Sequence, residues 1–228
     1  LKFSYKKEDS QTLKFPIQVN EGTTSKIMVG THGTLSSDVS GSGTLEMEIP
    51  YLRFNISGTL PNFNGRIIAN GVPSIGTQSL FYHSSQWNSP NATFTLKGKA
   101  YMGAWATNAV NVIGGLSGDA GTYLIGSSKQ TANFKCSWEV GGANTDETFN
   151  GIINNLPAGL NSKYSGTVSI KKVGTGLWRL NGVNTYSGTT QVAGGTLIVN
   201  GTHSGTGAVT VMSGATLKGM GKIAGKVT

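Results

Sequence analysis

The chain has one cysteine, Cys136, so no internal disulfide can staple it. No run approaches the ~18 apolar residues of a membrane-crossing helix, which excludes a helical span within these residues. Charge is sparse: 12% of the residues are Asp, Glu, Lys or Arg. Acid stops altogether at Glu147, and residues 148–228 carry only Lys163, Lys171, Lys172, Arg179, Lys218, Lys222 and Lys226. His32, His83 and His203 have no acidic or Cys companion at ligand spacing, so no metal site is expected, and nothing indicates a cofactor. There is no nucleophile elbow and no phosphate loop, because no convincing helix stands beside the Gly-rich runs. An initiator Met and a signal peptide are also missing, the expectation for a processed or excised chain.

Glycine is abundant, 34 of 228 residues. Low charge with so much Gly suits disorder, but alternating Val, Ile, Leu and Phe recur along the chain and argue for strands. From Lys172 to Gly201, short strand pieces (Leu177 to Leu180, Thr190 to Val192, Thr196 to Val199) alternate with Gly, Asn and Ser corners. Val192-Ala193-Gly194-Gly195-Thr196-Leu197 shifted by 20 residues lands on Met212-Ser213-Gly214-Ala215-Thr216-Leu217. Such a period marks a solenoid whose coils must stack to bury an apolar face.

An aromatic, a polar residue and Gly recur as Phe63-Asn64-Gly65, Phe149-Asn150-Gly151, Tyr164-Ser165-Gly166 and Tyr186-Ser187-Gly188. They read as four copies of one corner, with Gly in a strained dihedral. Leu13 to Val19 alternates as one half-buried strand, with Pro16 at a free edge. Pro73, Pro90 and the polar run His83 to Asn91 read as a loop thrown out from the coil, carrying Phe81, Tyr82, His83 and Trp87.

The run Val173-Gly174-Thr175-Gly176-Leu177-Trp178 through Asn184-Thr185-Tyr186-Ser187-Gly188 to Ala193-Gly194-Gly195-Thr196-Leu197 resembles the autotransporter passenger-associated β-strand repeat. The close resemblance covers about residues 168–228. It implies an all-β, right-handed parallel β-helix, secreted or on the outer surface of Gram-negative bacteria, with the periplasm as a further location. The repeat brings no catalytic residues. The chain divides into a less regular part, residues 1–126, and regular repeats, residues 127–228. The regular pattern stops without a cap, so further domains of the same protein, or a covering partner, are expected.

For function, the leading reading is a non-catalytic, adhesin-like scaffold that binds polysaccharide or a host or cell-surface glycan. Trp87, Trp105, Tyr82 and His83 are the candidate glycan contacts, because they fall in irregular regions. Trp138 and Trp178 fall on the apolar face and are assigned to the core. Cys136, between Phe134 and Trp138, reads as a buried thiol. The acid-free segment offers Lys171, Lys172 and Arg179 as a candidate anion site; the competing reading is a solvated, aggregation-resisting face. Nucleic acid is a poor partner, since no aromatics interleave with the basic residues. The alternative function is a polysaccharide lyase or hydrolase module, with Glu46 and Glu48 on one strand face as the carboxylate pair; a solvated face is the other reading.

Overall fold

The computed structural model describes residues 2–3, 11–29, 32–50, 53–60, 62–73, 79–127, 133–155 and 166–228. Among these residues there are strands and no helix, and the strands pair in parallel from coil to coil. The chain is a parallel β-helix with three faces. Val39–Gly41 lies on the first face, Thr44–Ile49 on the second and Arg53–Ile56 on the third; the next coil repeats the order as Asn62–Phe63, Arg66–Gly71 and Ser79–His83. Further along, Asn88–Gly98 and Val110–Gly118 each run across the first and second faces as one long strand. The Tyr164 copy of the aromatic-polar-Gly pattern lies outside the described residues.

Alternation sorts each strand. In Thr44–Ile49, Leu45, Met47 and Ile49 are buried while Thr44, Glu46 and Glu48 face outward. Parallel register then stacks like on like. Leu45, Ile67, Phe94 and Leu116 form one inward column on the second face. Phe54, Phe81, Met102, Leu124 and Ile153 form another on the third. All nine are essentially inaccessible. The 20-residue shift read in the sequence is a physical stack: Leu197 pairs with Leu217.

Large aromatics fill the wider coils. Trp87 packs between Phe81 and Phe94, with ring centroids 5.2 and 5.1 Å away. Trp138 and Trp178 are in the core, as their positions in the alternation predict. Each buried indole N–H donates to a backbone carbonyl: Trp87 to Gly103 at 2.7 Å, Trp138 to Ile125 at 2.9 Å and Trp178 to Leu116 at 2.8 Å. A polar group sealed in the core is thereby satisfied. Cys136 is buried as expected, and burial pushes its thiol pKa up.

The corners depart from expectation. The aromatic-polar-Gly copies are not one corner. Phe63 leads from the first face to the second, Phe149 from the second to the third, and Tyr186 toward the first-face strand Thr190–Val192. Their glycines do not take a positive φ. What they share is proximity to the previous coil: a Cβ at Gly65 would sit 2.0 Å from the Gly43 carbonyl oxygen, and at Gly188 2.3 Å from that of Val168. The same contact recurs down a column, where Gly182 meets Gly151, Gly201 meets Gly182 and Gly221 meets Gly201, each at 2.0 Å or less from the carbonyl oxygen. Asparagines stack beside this column, Asn181 donating to Asn150 at 2.8 Å and Asn200 to Asn181 at 3.1 Å. Leu13 to Val19 is likewise two strands, Gln11–Leu13 and Ile17–Val19, on different sheets. Pro16 stands in the corner between them, where no ladder hydrogen bond is required, and Phe15 is exposed.

The last coils enclose a buried histidine. His203 is 3% exposed and stacks on Tyr186 with centroids 4.1 Å apart. Its Nδ1 lies 3.4 Å from the Asn184 carbonyl oxygen, so Nδ1 carries the proton, and Nε2 has no partner among the described residues. Burial lowers its pKa, the Asn184 bond acting the other way. Burial also pushes the Tyr186 phenol up to about 12, against its hydrogen bond with Thr190.

Candidate functional site

The four candidate glycan contacts separate onto two sides of the third-face wall. Ser79–His83 alternates, so Phe81 points inward and Tyr82 outward. Trp87 is a correction to the sequence reading. It is fully buried, its indole N–H bound to Gly103, and it cannot stack on a sugar. The run after His83 is no projecting loop: a bend at Ser84 and Ser85 leads within a few residues into the strand Asn88–Gly98. His83 holds that bend. Its Nδ1 accepts the Ser85 backbone N–H at 3.1 Å, which leaves Nε2–H to donate to the Gly58 carbonyl at 3.2 Å. The ring lies 5.3 Å from that of Trp87, and burial lowers its pKa.

Tyr82 and Trp105 come together. Tyr82 is in register with Gly103, which has no side chain, and Trp105 follows two residues later, so the rings meet with centroids 5.5 Å apart. Burial raises the Tyr82 hydroxyl pKa, and nearby Arg53 opposes that rise. Tyr101 and Tyr123 pair one position back along the same face, centroids 4.2 Å apart. Tyr82 is 9% exposed and Trp105 is half-buried, so the accessible part of the pair is mostly the indole.

The three candidate anion-binding cations do not converge. Lys171 faces out from the first face and is paired with Glu139 at 2.8 Å. Lys172, the next residue, points inward and is 1% exposed. Its ammonium donates to the carbonyls of Val173, Gly174 and Gly194 at 2.6, 3.4 and 3.2 Å, so all three donors are used and none is left for a ligand. Burial lowers its pKa, with the charge of Asp146 opposing. Arg179 lies on the second face and donates to Thr148 at 3.0 Å. Glu46 and Glu48 share a face as expected, and Lys26 reaches both, at 3.5 and 2.5 Å.

A polar network across four coils was not visible in the sequence. Arg66 donates to Thr95 at 2.7 Å, Ser117 at 3.2 Å and Glu147 at 2.7 Å. Glu147 is 6% exposed and also accepts from Thr145 at 3.1 Å. Gly115 makes the room: a Cβ there would come 3.0 Å from the Glu147 Cγ. Arg66 and Glu147 are 81 residues apart, and only the coil register brings them together. The turn before Glu147 ties neighbouring coils too, Asn144 accepting from the Thr175 N–H and Asp146 from the Leu177 N–H, both at 2.8 Å.

Strand order, register and corner chemistry define a parallel β-helix built from stacked coils. Residues 170–199 match the model of the passenger-associated-transport-repeat, within the stretch whose sequence resembles that repeat. Over 164 residues, 63% of the chain, it is 32% identical to the adhesin BmaC autotransporter of Brucella suis biovar 1 (strain 1330). The matched segment spans 4% of that relative's length.

Proposed function

We propose that this chain is an adhesin-like segment of a secreted or surface-displayed passenger. Stacked parallel coils make a rod, and a rod carries a contact surface away from its point of attachment. The observation that carries this reading is a passenger repeat set within a continuous β-helix that is similar over most of its length to an autotransporter adhesin. In this reading, residues 127–228 serve as the regular shaft and residues 1–126 present contacts. Glycan contact falls to Trp105 backed by Tyr82, the outward aromatic pair among the sequence candidates. An aromatic face covers the apolar side of a sugar ring with little conformational loss.

Beads coated with the chain are expected to bind cell monolayers, and enzymatic removal of surface glycans should abolish that binding. Trp105→Ala combined with Tyr82→Ala should reduce bead retention about tenfold while leaving the far-ultraviolet circular dichroism unchanged. Undiminished retention by the double variant would remove the aromatic pair from the reading. Cleavage of a polysaccharide by the chain would instead make it an enzyme.

A further inference from the structure

The first face carries an open trough of about 450 Å³ over its outer surface. A smaller hollow of about 230 Å³ continues it, sharing Ser137 and Ser169. Register places the lining in two columns. Val110, Ser137 and Ser169 stack in one; Glu139, Lys171, Gln191 and Thr210 stack in the other. The trough thus crosses five successive strands at ~4.8 Å each, roughly 19 Å along the helix axis.

Unengaged hydroxyls and an exposed apolar contact distinguish this surface from the second face. On the second face, outward polar groups are engaged with one another, as Arg66 is with Thr95, Ser117 and Glu147, and Arg179 with Thr148. In the trough, the hydroxyls of Ser137, Ser169 and Thr189 have no hydrogen-bond partner among the described residues, and Gln191 reaches only the Met212 sulfur, at 3.8 Å. At its centre the charges cancel, because Lys171 is paired with Glu139, and Lys135 stands in the smaller hollow at one end. Val110, 54% exposed, adds an apolar contact at one wall.

We infer that the first-face trough binds an extended neutral polysaccharide lying along the helix axis. Free hydroxyls and an amide offer both donors and acceptors, which suits a ligand made of hydroxyls. A self-neutralised ion pair gives an anionic glycan no advantage over a neutral one. Ser137 and Ser169 stack in adjacent coils, so a linear chain of sugars can meet like hydroxyls at two successive coils. The trough's volume lies within the range of small-ligand sites. This inference rests on the glycan-binding reading above but uses a different face from Tyr82 and Trp105.

The test is native electrophoresis of the whole chain through gels containing hydroxyethylcellulose or dextran as neutral probes, and alginate as an acidic one. Retardation by a neutral probe that survives added salt is expected. Ser137→Ala combined with Gln191→Ala, both surface changes, should weaken it about tenfold, the effect of losing two hydrogen bonds. Wild-type retardation by that double variant, with loss in the Tyr82→Ala and Trp105→Ala variant, would overturn the trough and keep the aromatic site. Retardation by alginate alone, relieved by salt, would overturn the neutral ligand class. Bead adhesion to cells without retardation by either neutral probe would overturn the trough while the adhesin reading stands. If neither beads nor gels show binding, both readings fall.

Discussion

The coils after Asn184 and the coils from Arg53 to Ile153 solve the same packing problem differently. The later coils are short: Asn181 to Asn200 is a step of 19 residues. Their interior holds Leu197, Val199, Val209 and the Tyr186–His203 stack. The earlier coils include longer steps, 27 residues from Ile67 to Phe94 and 31 from Gly118 to Phe149, and they enclose Phe54, Phe81, Trp87, Phe94 and Trp138. Both regions place glycine where coils touch, Gly65 on Gly43 in the earlier coils and Gly201 on Gly182 in the later. A wider coil leaves volume that only large rings fill, and each indole must then find a carbonyl. Regularity and aromatic content thus trade against each other along one β-helix.

The largest way to break this comparison is to empty a wide coil. Trp138→Ala removes a fully buried ring and the donor to the Ile125 carbonyl. A loss of about 3–5 kcal/mol is expected in urea unfolding followed by circular dichroism. Leu217→Ala, in a partly buried position of a short coil, should cost well under half as much. Equal losses would show that the two regions do not differ in how they hold together.

A smaller effect sharpens the contrast between Lys172 and Lys171, adjacent residues on opposite sides of one strand. Lys172→Met strands three carbonyls that the ammonium now serves, and a loss of about 1–3 kcal/mol is expected by the same measurement. Lys171→Met breaks an exposed pair and should cost under about 1 kcal/mol. If Lys172→Met were neutral or stabilising, removal of the buried charge would outweigh the lost hydrogen bonds.

The smallest expected effect is the pH dependence that His203 gives to the short coils. His203 has a folded pKa below its unfolded value, so the unfolded state binds the extra proton. Its stabilising contribution is complete above about pH 6.5 and is lost as pH falls from there through the folded value. Around the ring stand Tyr186, Leu180, Leu197, Val209, Leu217 and Ile223, and no carboxylate is present to receive a cation. Amide protection factors, which divide out the base-catalysed intrinsic rate, should therefore fall around Thr202 to Val211 at pH 5 relative to pH 7.5. His203→Phe should flatten that response, and an unchanged response in this variant would assign the acid sensitivity to another group.

The fold was readable because its signals are short in range. Alternation placed Trp138, Trp178 and Cys136 inside, and the 20-residue shift placed Leu197 on Leu217. Trp87 was misjudged because a polar run conceals the tight bend at Ser84 and Ser85, after which the chain returns Trp87 to the core. The corner glycines were misjudged because their constraint is a carbonyl one coil away, which no local dihedral preference encodes. The Tyr82–Trp105 pair and the Arg66–Glu147 bridge depend on register between coils. Register is set by the sum of every corner and insertion between them, and a motif search sees none of it.

The glycine column through Gly151, Gly182, Gly201 and Gly221 bears on how such a protein changes over generations. Because each glycine meets the equivalent carbonyl below it, a whole coil is the natural unit of gain or loss. Duplicating or deleting one coil recreates the same contact at the new junction. Inserting a single residue instead brings a side chain against a carbonyl and turns inward groups outward. Length is therefore heritable in steps of one coil, so the reach of the rod can be tuned by recombination without redesigning its interior.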